Sequence, residues 1–155
     1  MSSHTQPAGP DELAAVAFGG VVGALARAGI SVALPHPHPD SWPSATFLTN
    51  MLGCLILGLV LAFVDARHSR WSTTSPRRAR LARPFLATGV LGGFTTFSTF
   101  SVEVVQMVRA GSVVLTGIYA LSSLILGIAA FVVGRDVGSR WFGASAINLP
   151  ADEEL

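Results

Sequence analysis

Apolar residues fall in four long runs, at 13–34, 46–64, 84–108 and 112–134, each near the ~20 residues that cross a bilayer core. The pattern predicts four transmembrane helices and an all-α membrane protein. The stretch "PHPHPDSWPS" at 35–44 separates the first two runs, and its four prolines rule out continuous helix there, so a short interfacial loop is expected. Its His36 and His38 read as solvated loop residues, because no cysteine or third histidine stands at metal-ligand spacing. The next separator, 65–83, is a polar, arginine-rich linker, whereas "RAGS" at 109–112 allows only a tight hairpin. Residues 1–12 and 144–155 read as polar tails around one four-span domain, 13–143. No secretory signal is expected, since "DE" at 11–12 stands where a positive charge would precede the first run.

The third run departs from a simple apolar pattern. "VLGGFTTFSTFS" at 90–101 carries two adjacent glycines, five hydroxyl residues and three phenylalanines. In an ideal helix, at about 100° per residue, Phe94, Phe97 and Phe100 share an arc of about 120°, and Thr95, Ser98 and Thr99 form a separate hydroxyl stripe. Gly92 and Gly93 followed by two threonines make that ideal helix doubtful. A break there would free backbone carbonyls, which broken transporter helices commonly offer to a cation. A kink with aromatic packing and an ion site both fit. In the fourth run, Thr116, Tyr119, Ser123 and Gly127 share one face, which suits either interhelical hydrogen bonds or a ladder of donors.

Composition agrees with a membrane setting. Half of the 155 residues are hydrophobic and 12% are charged, and ten arginines nearly balance nine acids, so no general field for nucleic acid is implied. The distribution of the arginines is more informative than their sum. With four spans, both termini and the second linker share a side that holds Arg67, Arg70, Arg77, Arg78, Arg80, Arg83, Arg135 and Arg140, and the other side has only Arg109. The positive-inside rule then places both termini in the cytoplasm, with the chain in the inner (plasma) membrane.

Other polar residues within the spans need partners. Arg27 either snorkels to the interface or turns inward, to attract anions or tie helices. Asn50 suits a helix tie or a vestibule group that handles a partly dehydrated ion. Glu103 reads as a hydrogen-bond acceptor or interface anchor rather than a catalytic acid. Gly19, Gly20, Gly23, Gly53 and Gly58 let helix backbones approach closely. Cys54 cannot form an internal disulfide and reads as a small buried hydrophobe.

Four segments together resemble the CrcB/Fluc fluoride channels: "GGVVGALAR" at 19–27, "TFLTNMLGCLILG" at 46–58, "GVLGGFTTFSTFSVE" at 89–103 and "YALSSLILG" at 119–127. The resemblance extends over roughly residues 15–135, and the third segment is its most specific part. It implies four-helix subunits in an antiparallel, dual-topology dimer, with two fluoride pathways and one central sodium ion that is not transported. It further implies a third helix broken at mid-membrane, with the Gly92 and Thr95 carbonyls holding the sodium. Phe97 and Phe100 match the pore phenylalanines, Tyr119 and Ser123 the polar track of the fourth helix, and Asn50 the vestibule asparagine. Ser98 and Thr99 join this path as hydroxyl donors, and Arg27 stands as an anion-attracting or structural residue. Gly127 departs from the pattern, because some members carry a hydroxyl there. The activity implied is passive export of fluoride, lowering its cytoplasmic level.

Two other classes fit less well. A small dual-topology multidrug transporter would need a membrane-embedded carboxylate in the first span, which offers only Arg27. An enzyme would need clustered nucleophile, base or metal ligands. The arginine asymmetry carries a further expectation. Eight arginines against one fix a single orientation, so an inverted mate would come from an oppositely biased homologue. A heterodimer is thereby favoured over a homodimer, which assembly-guided insertion would still permit.

Overall fold

A computed structural model describes residues 8–35, 38 and 40–147, with backbone alone for 69 and 144–147. His36 and the tail positions 1–7 and 148–155 lie outside the described residues. All regular structure among the described residues is helical: α1 (Pro10–Ala33), α2 (Ser44–Thr74), α3 (Pro76–Arg83), a π-helical segment (Pro84–Leu91), a single turn α4 (Gly92–Phe94), α5 (Phe97–Arg109) and α6 (Val113–Ile147). They give four stretches long and apolar enough to cross a membrane, Pro10–Ala33, Ser44–His68, Pro76–Arg109 and Val113–Gly143.

Local chemistry explains several boundaries. Pro10 opens α1 where its missing N–H costs nothing, and Asp11 and Glu12 in the first turn favour the positive end of the helix dipole. The polar stretch expected as a linker is helical apart from a joint at Ser75. Here α2 continues to Thr74, held partly by Trp71 edge-on to Phe63 at 5.6 Å and Arg67 over the same ring at 5.4 Å. Pro84 cannot donate to the ladder and crowds the carbonyl four residues back, and the chain beyond it widens to π spacing. The hairpin between α5 and α6 turns on Gly111, whose φ of 84° suits glycine, with the Gly111 and Ser112 amides donating to Val108 and Met107 carbonyls.

Two seams hold the bundle together. Along one, α1 lies against the π segment: a Cβ on Gly19 or Gly23 would collide with backbone atoms of Phe85, Val90 and Phe94. Along the other, α2 runs beside α6, with Gly58 against the Phe131 carbonyl and Gly134 against that of Leu55. Lipid tails are as apolar as leucine, so close backbone contact is what makes such seams stable. Tyr119 and Met107 are fully buried between helices, while Val32 (82% exposed), Val114 (79%) and many other large apolar residues face outward. Such a surface belongs in lipid rather than in water.

The arginine-rich end is laced by ion pairs. Asp11 accepts from Arg80 at 3.2 Å, Asp65 from Arg135 at 3.0 Å, and Asp136 lies 2.9 Å from Arg140. All are solvent-exposed and contribute little to stability, but they draw α1 towards α3 and α2 towards α6 at that end.

Candidate functional site

The third apolar segment stops being helical at Thr95 and Thr96. Both are extended, at φ −78°, ψ 158° and φ −147°, ψ 121°. Gly92 and Gly93 themselves stay helical, and Gly93 is needed for close approach, since a Cβ there would meet the Gly20 backbone. The threonines leave the helix because their surroundings offer their backbone and side chains other partners. The Thr96 hydroxyl caps α5 by accepting from the Thr99 amide at 3.1 Å. The Thr95 hydroxyl donates back to the Leu91 carbonyl at 2.8 Å.

Asn50 on α2 holds the break from outside. Its Oδ1 accepts from the Thr96 N–H at 2.9 Å, and its Nδ2 donates to the Thr96 carbonyl at 3.1 Å. In an unbroken helix the Thr96 amide would donate to the Gly92 carbonyl and the Thr99 amide to that of Thr95. Asn50 takes the first donor and the Thr96 side chain takes the second. The Gly92 and Thr95 carbonyls therefore both lose their helical partners. These are the two oxygens that the sequence resemblance assigns to sodium, and carbonyls freed from helical partners are the kind of donor a hard cation takes.

The interruption also reorients the phenylalanines. Phe94 turns inward (9% exposed), whereas Phe97 is 79% exposed, so the shared arc of an ideal helix does not form. Phe97 and Phe100 stay together with ring centroids 5.9 Å apart, and Phe100 lies 5.2 Å from Tyr119. The expected Thr95, Ser98 and Thr99 stripe is replaced by a cluster around Thr96, whose hydroxyl donates to Thr99 Oγ1 at 2.9 Å and lies 3.3 Å from Ser98 Oγ. An ideal-helix projection missed Thr96. Its signal was the capping position, a threonine three residues before another hydroxyl at the start of an apolar helix.

Beside the break lies a cleft of about 290 Å³ between α2, α5 and α6, lined by Asn50, Cys54, Thr95, Phe97, Phe100 and Ser123 among others. Among the described residues no carboxylate, histidine or arginine lines it. The Ser123 Oγ is buried with no hydrogen-bond partner among the described residues, so it is a donor left open beside the cleft. Tyr119 does not line the cleft. It is buried behind Phe100, and its hydroxyl donates to Glu103 Oε2 at 2.8 Å. Thr46 donates to the other carboxylate oxygen at 2.6 Å, so Glu103 joins α2, α5 and α6 as a hydrogen-bond acceptor. Thr46 was not legible as its partner, 57 positions away along the chain. Gly127 packs on α2, where a Cβ would stand 3.5 Å from Cys54 Sγ and 3.4 Å from Met51 Cε. Arg27 lies apart from the cleft on α1, with its Nε buried and unpaired among the described residues.

A family model described as "CrcB-like protein, Camphor Resistance (CrcB)" matches residues 14–135, which contain every one of these groups. The chain belongs to the CrcB family. Relatives agree over most of their length. One from Hyphomonas neptunium, named "Fluoride-specific ion channel FluC", is 40% identical over 127 residues, covering 82% of this chain and 94% of the relative. "Fluoride-specific ion channel FluC 2" of Nocardia farcinica is 36% identical over 144 residues, 93% of this chain and 96% of that one. "Fluoride-specific ion channel FluC 1" of Mycobacterium tuberculosis is 43% identical over 119 residues, 77% and 83% respectively. These relatives are named as channels and not as enzymes. Membership in this family, together with four membrane-length helices, makes the chain a multi-pass membrane protein.

Proposed function

We propose that the chain is one subunit of a passive, fluoride-selective channel. The observation that carries this reading is the uncharged cleft at the helix break, where the open Ser123 hydroxyl stands beside Phe97 and Phe100. Fluoride is small and strongly hydrated, so a selective path must exchange its water for several close donors. Ser123, Ser98, Thr99 and the remaining amide hydrogen of Asn50 are such donors, with Tyr119 behind Phe100. Phenylalanine edges carry partial positive charge and face an anion without titrating. The relatives' names support fluoride as the ion. With both Glu103 oxygens engaged and no carboxylate among the described residues lining the cleft, none of these is set to couple a proton to the ion, so fluoride runs down its gradient and out of an acid-loaded cell.

The working unit of this proposal is an antiparallel dimer with an inverted homologous subunit, in which the break lies at mid-membrane and both termini of this chain face the cytoplasm. The orphaned Gly92 and Thr95 carbonyls support a structural sodium site at the subunit contact. The ion, when bound, supplies a fixed positive charge. Arg27 is held back from the cleft as a structural or anion-attracting group.

Protein purified together with its inverted homologous subunit and placed in liposomes is expected to release fluoride without a proton gradient and to retain chloride. Equal chloride passage, or strict dependence on a proton gradient, would refute the proposal. A second expectation concerns the ring edges. Phe100→Ile keeps bulk but removes the quadrupole, and should lower fluoride flux about tenfold, the equivalent of an aromatic contact of ordinary strength. Thermal unfolding should be nearly unchanged. A normal flux with reduced stability would assign the ring to packing.

A further inference from the structure

Away from the helix break, a groove of about 600 Å³ opens at the arginine-rich end between α1, the end of α2, α3 and the π segment. Its wall has a regular order. Arg77, Leu81 and Phe85 form one row at i+4 spacing, and Arg78, Ala82 and Leu86 form the row beside it. One helical face thus changes from two arginines to apolar side chains over about 12 Å, at 1.5 Å per residue. Ala15 and Trp71 close the groove from α1 and α2.

We propose that this groove binds one anionic phospholipid, its phosphate at Arg77 and Arg78 and an acyl chain along Leu81, Ala82, Phe85 and Leu86. Charge complementarity selects the head group. Arg78 makes no ion pair among the described residues, and Arg77 has only an exposed contact with Asp11 at 3.9 Å, which is too long and too wet to satisfy it. The apolar rows select a lipid over a free anion, because inorganic phosphate would leave them uncovered. The place in the fold agrees, since the rows lead from the polar, arginine-rich α3 into the apolar π segment, the order in which a lipid's head group and acyl chain would meet them. Basic grooves between transmembrane helices recognise anionic head groups in this way. Trp71, which lines the groove, is of a residue type enriched where lipid head groups meet hydrocarbon.

The test uses the full-length protein in detergent micelles. Phosphatidylglycerol carrying brominated acyl chains is added and Trp71 fluorescence followed, taking Trp71→Phe as the blank because the chain has three tryptophans. Brominated phosphatidylglycerol should quench Trp71 at lower concentration than brominated phosphatidylcholine. The double variant Arg77→Gln/Arg78→Gln should weaken phosphatidylglycerol binding on the order of tenfold, and Arg77→Lys/Arg78→Lys, which keeps the charge, should restore most of it. Excess inorganic phosphate should leave quenching unchanged, and its competing fully would assign the site to a free anion. Equal quenching by the two lipids, or wild-type binding in the glutamine variant, would overturn the proposal. So would cross-linking of Leu81→Cys to a second copy of the chain in place of lipid protection, which would make the groove a subunit contact.

Discussion

Asn50→Leu is expected to abolish most fluoride flux while leaving the four spans inserted. Leucine keeps the branched heavy-atom outline of Asn50 but can neither accept from the Thr96 N–H nor donate to its carbonyl, the two bonds that hold the break open. Each buried polar group left unpaired costs about 1–3 kcal/mol, so two shift the break against its open form by at least about 2 kcal/mol, or roughly 30-fold. The Thr96 amide would then return to the Gly92 carbonyl, closing one of the two orphaned oxygens. Asn50→Asp should fall between, because a carboxylate still accepts from the amide but faces the Thr96 carbonyl with no donor. Fluoride efflux from liposomes, read beside thermal unfolding in detergent, separates the outcomes. Wild-type flux in Asn50→Leu would mean that the break stands without this residue.

The second large effect concerns orientation. Arg77, Arg78, Arg80 and Arg83 lie on α3, and Arg135 and Arg140 near the end of α6, whereas Arg109 ends α5 beside the opposite hairpin. The exposed acids that pair with several of these do not cancel the bias, because acids weigh little in membrane topology. Expressed alone, the chain should therefore place nearly every terminus in the cytoplasm, and a membrane-impermeant label should reach it from one face only. Fluoride flux should then be near background, rising when an oppositely biased homologue is supplied. Comparable labelling from both faces, together with flux from the single gene, would establish a homodimer and defeat the heterodimer reading.

Both expectations turn on contacts of different range, and range decides what could be read from the chain alone. Four apolar runs near bilayer length, the arginine asymmetry and the "GGFTTFSTFS" segment are local properties of the sequence. The apolar runs and that segment determined the all-helical membrane architecture, the family and the neighbourhood of the helix interruption, because hydrocarbon demands continuous internal hydrogen bonding and so makes apolar length diagnostic. The paired glycines and the two threonines after them marked the stretch where the helix is weak, without saying which neighbour offers its groups something better. That was decided by Asn50, 46 positions away, whose amide captures Thr96. Packing likewise turned Phe94 inward and Phe97 outward, gave Glu103 its donors from Thr46 and Tyr119, and carried helix through a polar stretch that reads as a linker. For Asn50 and Glu103 a polar group met whichever partner the fold brought within hydrogen-bond distance, and such partners lie on other elements, where local pattern carries no record of them.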